Sequence, residues 1–340
     1  MKLKKGLLAL ICGSALLLQG CASTAEEITA QPTPTGANAK AATVAWPSDK
    51  LKLNQSGVPA FSVHVVEHQK VENMDVESYV EGVLAGEMKN TWPMEALKAQ
   101  AILARTFVLK FIEEKQSKYE NADISTDIEE AQAYDASAIN ERVKQAVAET
   151  NGLVLSASGA LPYAWFHAHS GGMTELAKPG LGWNKDEPAY TQAVKSNEPE
   201  SVKEANDEQE LKTASAWEAS FPTAEFAAAC DKQGVKVSLN DSTAITIKER
   251  GESGRATVLS VGGKEVRASE LRIALGSTKM RSTLLETIRV EGGQVKMSGK
   301  GYGHGVGMSQ WGAYGMAEQG KSAEEIVKAY FKGVELVKIW

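Results

Sequence analysis

The feature that most constrains this chain lies between Asp75 and Glu87. Val76, Tyr79, Val80, Val83 and Leu84 recur at the spacing of one helical face, behind Asp75, which suits an N-cap. Glu87 follows Val83 by four residues and Val80 by seven. That spacing puts a carboxyl on the apolar stripe or just past its end. On the stripe it loses water and its pKa rises, which suits an acid–base catalyst near neutral pH; past the helix end it escapes to solvent. A second helix is predicted from about Pro93 through Ala96, Leu97, Ala101, Ala104 and Val108. A third is predicted over Ser137–Thr150, closed by Asn151-Gly152. Successive amphipathic helices need a shared core, and 340 residues are enough to build one.

Strand signals flank these helices. Phe61, Val63 and Val65 alternate with polar residues, as in a half-buried strand. Leu153–Leu155 and Pro162–Ala168, joined near Ser158-Gly159, predict a hairpin. Residues 184–210 read as a polar surface excursion, and 235–295 as short strands with turns at Gly262-Gly263 and Gly292-Gly293. Near the end, Ser309 is placed to cap a helix, Gly320 to stop it, and Ser322 to Glu325 forms a capping box. The expected fold is α+β: a helical and β-hairpin catalytic core spanning 60–340, into which a smaller β-containing region, about 192–298, is inserted.

The N-terminus reads as a targeting segment. Lys2, Lys4 and Lys5 precede an apolar run from Leu7 to Leu18, too short to span a bilayer comfortably. It ends in Leu18-Gln19-Gly20-Cys21, which resembles the lipobox of bacterial lipoproteins. That resemblance implies a signal peptide over 1–20, lipid on Cys21, and an anchor to the outer face of a bacterial cytoplasmic membrane. Residues 21–59 are rich in Ala, Thr, Pro, Ser and Gly and read as a flexible tether. Cys12 leaves with the signal, so Cys230 stands alone and no intrachain disulfide is expected. The net charge of −6 gives no footprint for nucleic acid.

Four blocks carry a family resemblance. They are Gly86-Glu87-Met88 with Trp92 to Ala101 and Ala104-Arg105-Thr106; Gln132-Ala133-Tyr134; Phe166 to Glu175; and Gly301 to Ala313. In this order they resemble the SpoIID/LytB family, whose activity is lytic transglycosylation of peptidoglycan freed of stem peptides. The resemblance places the family's catalytic Glu at Glu87 and implies an extracytoplasmic enzyme acting on glycan strands. One departure is Lys89, where the family usually has Pro. A cell-wall amidase is a candidate partner, since something must strip the peptides. The rival reading is a glycan-binding module that stimulates such an amidase without cutting.

Further cleft residues follow from the same blocks. Lys98 and Arg105, seven apart on one helical face, would pair with the lactyl carboxylate of denuded muramic acid, or else form a solvated stripe. The resemblance adds Gln132, Tyr134, His169 and Ser170. In the C-terminal block His304, Ser309 and Gln310 offer hydrogen bonds, the glycines allow close approach to a sugar, and Trp311 either stacks on one or lies in the core. Asp127, Glu129, Glu130 and Glu175 are candidate second carboxylates or structural charges. His167, His169 and His304 are metal-capable types, but the expectation is no metal and no cofactor. The glycine block lacks the Lys-Ser/Thr ending of a phosphate loop. It is expected to return to the cleft beside Glu87.

Overall fold

The computed structural model describes Val44 and residues 48–340. The signal segment, Cys21 and most of the tether lie outside the described residues. The order is β1 (Lys52–Leu53), β2 (Pro59–Val65), β3 (Lys70–Asp75), α1 (Val76–Glu87), α2 (Met94–Glu114), β4 (Ile124–Ser125), α3 (Glu141–Glu149), β5 (Leu153–Ala157), β6 (Phe166–His167) and α4 (Ala177–Leu181). Then come α5 (Ala205–Ser215), β7 (Ala216–Pro222), α6 (Thr223–Asp231), β8 (Ile245–Arg250), β9 (Ala256–Val261), β10 (Lys264–Arg267), α7 (Ala268–Leu275), β11 (Leu285–Glu291) and β12 (Gln294–Lys300). The chain closes with β13 (Met308–Ser309), α8 (Gln310–Glu318), α9 (Ala323–Tyr330) and β14 (Val334–Lys338). Helices and small, mostly antiparallel sheets make this an α+β fold. No helix of the described residues is long and apolar enough to cross a membrane.

Local chemistry explains the helix starts. Asp75 Oδ1 accepts the Ser78 N–H at 2.9 Å and opens α1. Val76, Tyr79, Val80, Val83 and Leu84 are fully buried on its inner face. Each such burial contributes roughly 1.5–3 kcal/mol, which outweighs the ~1 kcal/mol that each of Gly82 and Gly86 costs inside a helix. The third helix begins later than its pattern suggests. Asn140 Oδ1 accepts the Val143 N–H at 3.0 Å and caps it there, while Ala136–Ala138 forms a separate 3-10 turn. The capping box of Ser322 and Glu325 is present.

The predicted hairpin does not form. Ala157 and Ala160 exchange backbone bonds of 2.8 and 3.1 Å, but the ladder goes no further. Pro162 has no N–H to extend it. Instead β5 pairs antiparallel with β14, Leu155 opposite Leu336, and β6 pairs in parallel with β13, Phe166 opposite Met308. The C-terminus thus returns to the first half of the chain.

Two main apolar clusters result. One draws on residues from Leu51 to Val334 and holds α1, α2, α8 and α9. The other comes wholly from Trp217 to Met297, within the sheets β10-β9-β8 and β11-β12-β7. This second part also carries α6 and α7, which a reading of short strands alone missed. Part of the polar excursion is helix as well, since α5 starts at Ala205.

Candidate active site

Glu87 is the last residue of α1, and the Met88 N–H closes that helix on the Leu84 carbonyl at 3.0 Å. The glutamate is 5% exposed. It lines a cleft of about 670 Å³ with Asn90, Trp92, Asp127, Tyr134 and Asp135. The opposite wall is pinned from below, where the Tyr79 hydroxyl donates to the Ser125 carbonyl at 3.0 Å.

Gly82 and Gly86, one turn apart, make α1 flat where residues 132–135 cross it. A Cβ on Gly82 would overlap the Tyr134 ring, and one on Gly86 would lie 2.7 Å from the Tyr134 nitrogen. The crossing segment is fastened where the Asp135 N–H donates to the Gly82 carbonyl at 3.0 Å. It thereby aims the Ala133 N–H at Glu87 Oε1, 2.7 Å away. The second oxygen meets Gln310 Nε2 at 3.5 Å, and the same nitrogen donates to the Glu87 carbonyl at 3.2 Å. Burial pushes the Glu87 carboxyl up to about 8; the Ala133 and Gln310 donors pull it only part of the way back. A value that high keeps the carboxyl protonated at neutral pH.

A second carboxylate on the cleft wall has the opposite character. Burial alone would raise Asp127, but Lys118, the Glu129 N–H and the Tyr119 hydroxyl outweigh it and hold the group below the usual carboxylate range. Among the described residues lining the cleft, Lys89 is the sole cation. Its ammonium pairs with Asp207 and Glu210 of α5 at 2.5 and 2.8 Å. The remaining carboxylates are placed elsewhere: Glu129 is exposed, Glu130 accepts from Ser117 and the Lys118 N–H, and Glu175 is buried, accepting from Leu176 and Ser253.

The C-terminal block does return to Glu87, through Gln310 at the start of α8. Tyr134 lines the cleft. Gln132 is buried beside it, and neither of its side-chain amide atoms has a partner. The other expected contacts are turned inward. Arg105 is fully buried, with Nη2 on Glu77 at 2.5 Å and Nη1 on the Leu153 carbonyl at 3.0 Å, so it ties α1 to β5 rather than facing a sugar. Lys98 is paired with Glu95 and Glu149 and does not line the cleft. Trp311 is buried against Trp92, with ring centroids 4.5 Å apart.

The glycine block approaches protein instead of leaving room for a sugar. Gly301, Gly303, Gly305 and Gly307 all have positive φ. A Cβ on Gly301 would lie 2.7 Å from the His169 carbonyl oxygen, and one on Gly303 would lie 2.6 Å from His167 Cβ. His304, whose Nδ1 accepts the Val306 N–H at 3.0 Å, is pushed down to about 3 by burial and by Arg272 and Arg255. It is neutral at physiological pH and does not line the cleft.

His169, Ser170 and Ser309 meet at Glu198, a residue that sequence reasoning missed. Its carboxylate accepts the Ser170 N–H, the Gly172 N–H at 2.9 Å and the Ser309 hydroxyl at 2.7 Å. His169 Nδ1 lies 3.3 Å from Glu198, but it already accepts the Gly171 N–H at 2.9 Å, and burial holds the ring below its usual pKa. The contact is therefore proximity to a neutral ring, not an ion pair. His167 is buried too, its Nδ1 3.1 Å from the Val306 carbonyl and its Nε2 2.7 Å from the Ser170 hydroxyl. Among the described residues no group of three His, Cys, Asp or Glu side chains is placed to hold a metal ion.

Residues 66–156 match the family model described as Stage II sporulation protein, SpoIID. The chain is 34% identical over 300 residues to stage II sporulation protein D of Bacillus amyloliquefaciens, covering 84% of this chain and 80% of that one. This chain belongs to the SpoIID family. The corresponding protein of Bacillus subtilis (strain 168) is 31% identical over 308 residues, 85% of this chain and 81% of its own length. The amidase enhancer of the same organism is 28% identical over 294 residues, 76% of this chain and 40% of that protein. Residues 185–307 match a domain of unknown function, DUF8618. Glu87, Gln132 and Tyr134 thus fall inside the SpoIID match, whereas Glu198 and His304 fall in the second one.

Proposed function

We propose that this chain is a lytic transglycosylase that cleaves the MurNAc–GlcNAc bond of peptide-stripped peptidoglycan. One observation carries the reading: a buried carboxyl at the edge of an open cleft, with one short backbone donor and burial that raises its pKa. Glu87 donates its proton to the glycosidic oxygen, and the electrons of the breaking C–O bond pass to that oxygen. Positive charge grows at the anomeric carbon. The Glu87 carboxylate, held by the Ala133 N–H and approached by Gln310, takes the proton of the muramic C6 hydroxyl. That oxygen closes on the anomeric carbon and gives a 1,6-anhydro product, with Glu87 again protonated. The nucleophile is part of the substrate, so proximity takes the place of an activated water. Asp127 lies on the opposite wall of the cleft, and Lys118 neutralises its charge, so one carboxyl carries the acid and base steps.

Family membership supports a role in the cell wall. Lipid on Cys21 would tether the enzyme to the outer face of the cytoplasmic membrane, within reach of glycan strands. Likeness to an amidase enhancer supports a second reading, in which the cleft grips denuded glycan and stimulates an amidase. Incubation with peptide-stripped strands beside a Glu87→Gln control, read by mass spectrometry, separates the two. Anhydro-muramic ends that vanish with the variant are the expected result. Reducing ends would make the enzyme a hydrolase, and intact but bound glycan would favour the second reading.

A further inference from the structure

Gln310 is fully buried at the start of α8 and does not line the cleft, so its side chain faces protein rather than a sugar. What it meets is Glu87. Its Nε2 lies 3.2 Å from the Glu87 carbonyl oxygen and 3.5 Å from the carboxyl Oε2, while its Oε1 has no partner. A carbonyl oxygen only accepts, so the nitrogen end of the amide has to face Glu87. That nitrogen carries two hydrogens, one for each oxygen.

The two contacts differ. The bond to the carbonyl does not depend on the protonation of Glu87. The approach to Oε2 is longer than a normal N–H···O bond. Glu87 Oε1 already accepts the Ala133 N–H at 2.7 Å, which leaves Oε2 as the oxygen that carries the proton of the neutral acid. Once that proton has left, Oε2 bears charge. An N–H that donates to a carboxylate closes to about 2.7–2.9 Å and is roughly twice as strong as a neutral pair. A contact that is weak before proton transfer and strong after it lowers the barrier instead of stabilising the ground state.

The backbone that carries Gln310 is held on both sides. Ser309 lies opposite His167 in the β6–β13 pair, and its hydroxyl accepts the Gly312 N–H at 3.1 Å. The Trp311 N–H donates to the Ala168 carbonyl at 3.0 Å. A fixed backbone leaves the closing movement to the side-chain torsions. The charged groups of the cleft are committed elsewhere: Lys89 to Asp207 and Glu210, Asp127 to Lys118, and Asp135 to the Ser137 N–H and hydroxyl. Tyr79, on the same helix as Glu87, donates its hydroxyl to the Ser125 carbonyl. Ala133 and Gln310 are the two groups that favour the Glu87 carboxylate against burial.

We propose that Gln310 is a positioning residue for the acid–base cycle of Glu87: one amide hydrogen holds the Glu87 carbonyl throughout, and the other closes on Oε2 as the carboxyl gives up its proton. The inference rests on the reading of Glu87 as the acid. The proton passes to the glycosidic oxygen, and Gln310 steadies the carboxylate that remains. The contact lengthens again when Oε2 takes the proton of the C6 hydroxyl. Gln310 therefore acts through Glu87 and touches no sugar, in contrast to the substrate contact that its sequence block suggests.

The test compares the full chain with Gln310→Met, which keeps the volume of the side chain and removes both donors. Glu87 is titrated by carbon-13 NMR of its carboxyl, assigned by its loss in Glu87→Gln, and kcat is followed against pH on peptide-stripped strands. In the variant the Glu87 midpoint and the high-pH fall in kcat are expected about one pH unit above the parent, with the plateau of kcat about 10-fold lower and KM within about 2-fold. A structural loss alone lowers kcat without moving either midpoint, and that result overturns the proposal. A second measurement needs no substitution: in the parent, one Gln310 side-chain amide hydrogen should shift downfield as Glu87 ionises, with the same midpoint. If Gln310→Met does not fold, that shift decides, and its absence overturns the proposal. If the parent does not cleave stripped strands but the Glu87 midpoint still rises in the variant, the transglycosylase reading falls and the donor role of Gln310 stands. If the parent cleaves and the midpoint is unmoved, the role of Gln310 falls and the transglycosylase reading stands.

Discussion

Glu87 is buried and the Glu198 side chain is largely shielded too, yet their surroundings differ. Glu87 receives one good backbone donor and one long approach from Gln310. Glu198 receives two backbone N–H groups and a hydroxyl, and it gathers the segment 169–172 and the start of α8 around itself. Burial with one short donor leaves the Glu87 carboxyl raised, whereas three donors from two segments make Glu198 a fastener. The two meet at consecutive residues, since Ser309 bonds Glu198 and Gln310 bonds Glu87. The fastener thus fixes the residue that touches the reactive group.

The sharpest way to break this contrast is Glu87→Gln. Loss of the acid should lower cleavage by about 10²–10⁴-fold. Stability should move the other way. Glu87 is raised from 4.5 to about 8, so the folded state binds more protons than the unfolded state between those values. Its contribution is fully present below pH 4.5 and is lost as pH rises through 8, at about 1.4 kcal/mol per unit. The glutamine variant lacks that loss, so its Tm should equal the parent's near pH 4 and exceed it at pH 9. A variant less stable than the parent at pH 9 would mean that Glu87 is a fastener after all.

Glu198→Ala should show the reverse pattern. It leaves the buried Ser170 N–H and Ser309 hydroxyl, and the exposed Gly172 N–H, without their acceptor, a cost of about 1–3 kcal/mol in urea unfolding. Cleavage per folded molecule should fall by much less than for Glu87→Gln. Unchanged stability with abolished turnover would move Glu198 into the chemistry.

How far the sequence announced this contrast depends on the distance over which each signal acts. The stripe of α1, the Asp75 cap and the Ser322–Glu325 box are local, and all form as their patterns predict. Glu87 was legible in part, because its offset from Val83 and Val80 left it on the apolar face or just past its end, and the resemblance of its motif singled it out. Glu198 was not, because it lies in a polar stretch whose only mark of importance is burial by segments far away in the chain. The hairpin failed for the same reason: β5 finds its partner in β14, roughly 180 residues on, and no local alternation reports such a pairing. The glycines of 301–307 announced tight backbone but not what the backbone would touch.

Gly86→Ala probes how the sparse donor is aimed. The added methyl would lie 2.7 Å from the Tyr134 nitrogen and 2.8 Å from the Ala133 carbonyl carbon, backbone that has to move. Overpacking of this kind costs about 1–3 kcal/mol. Because the same segment carries the Ala133 N–H, kcat/KM for glycan should drop about 10- to 100-fold. Equal loss of stability with intact kcat/KM would show that the crossing segment packs on α1 without aiming anything at Glu87.

The smallest effect is expected at Lys89, where the cleft meets α5. Its ammonium is held by Asp207 and Glu210, and although burial works against the charge, these partners raise its pKa above the ordinary lysine value. The cluster carries two negative charges to one positive, so it is poorly suited to receive a substrate carboxylate and better suited to hold the strand leaving Glu87 against α5. The lysine is partly solvated, so Lys89→Ala should cost about 1 kcal/mol or less. KM for stripped glycan should stay within about 2-fold, and kcat should fall modestly as the strand loosens. A large rise in KM with kcat unchanged would instead identify Lys89 as the cation that reads the glycan carboxylate, the task that Arg105 and Lys98 are too committed to perform.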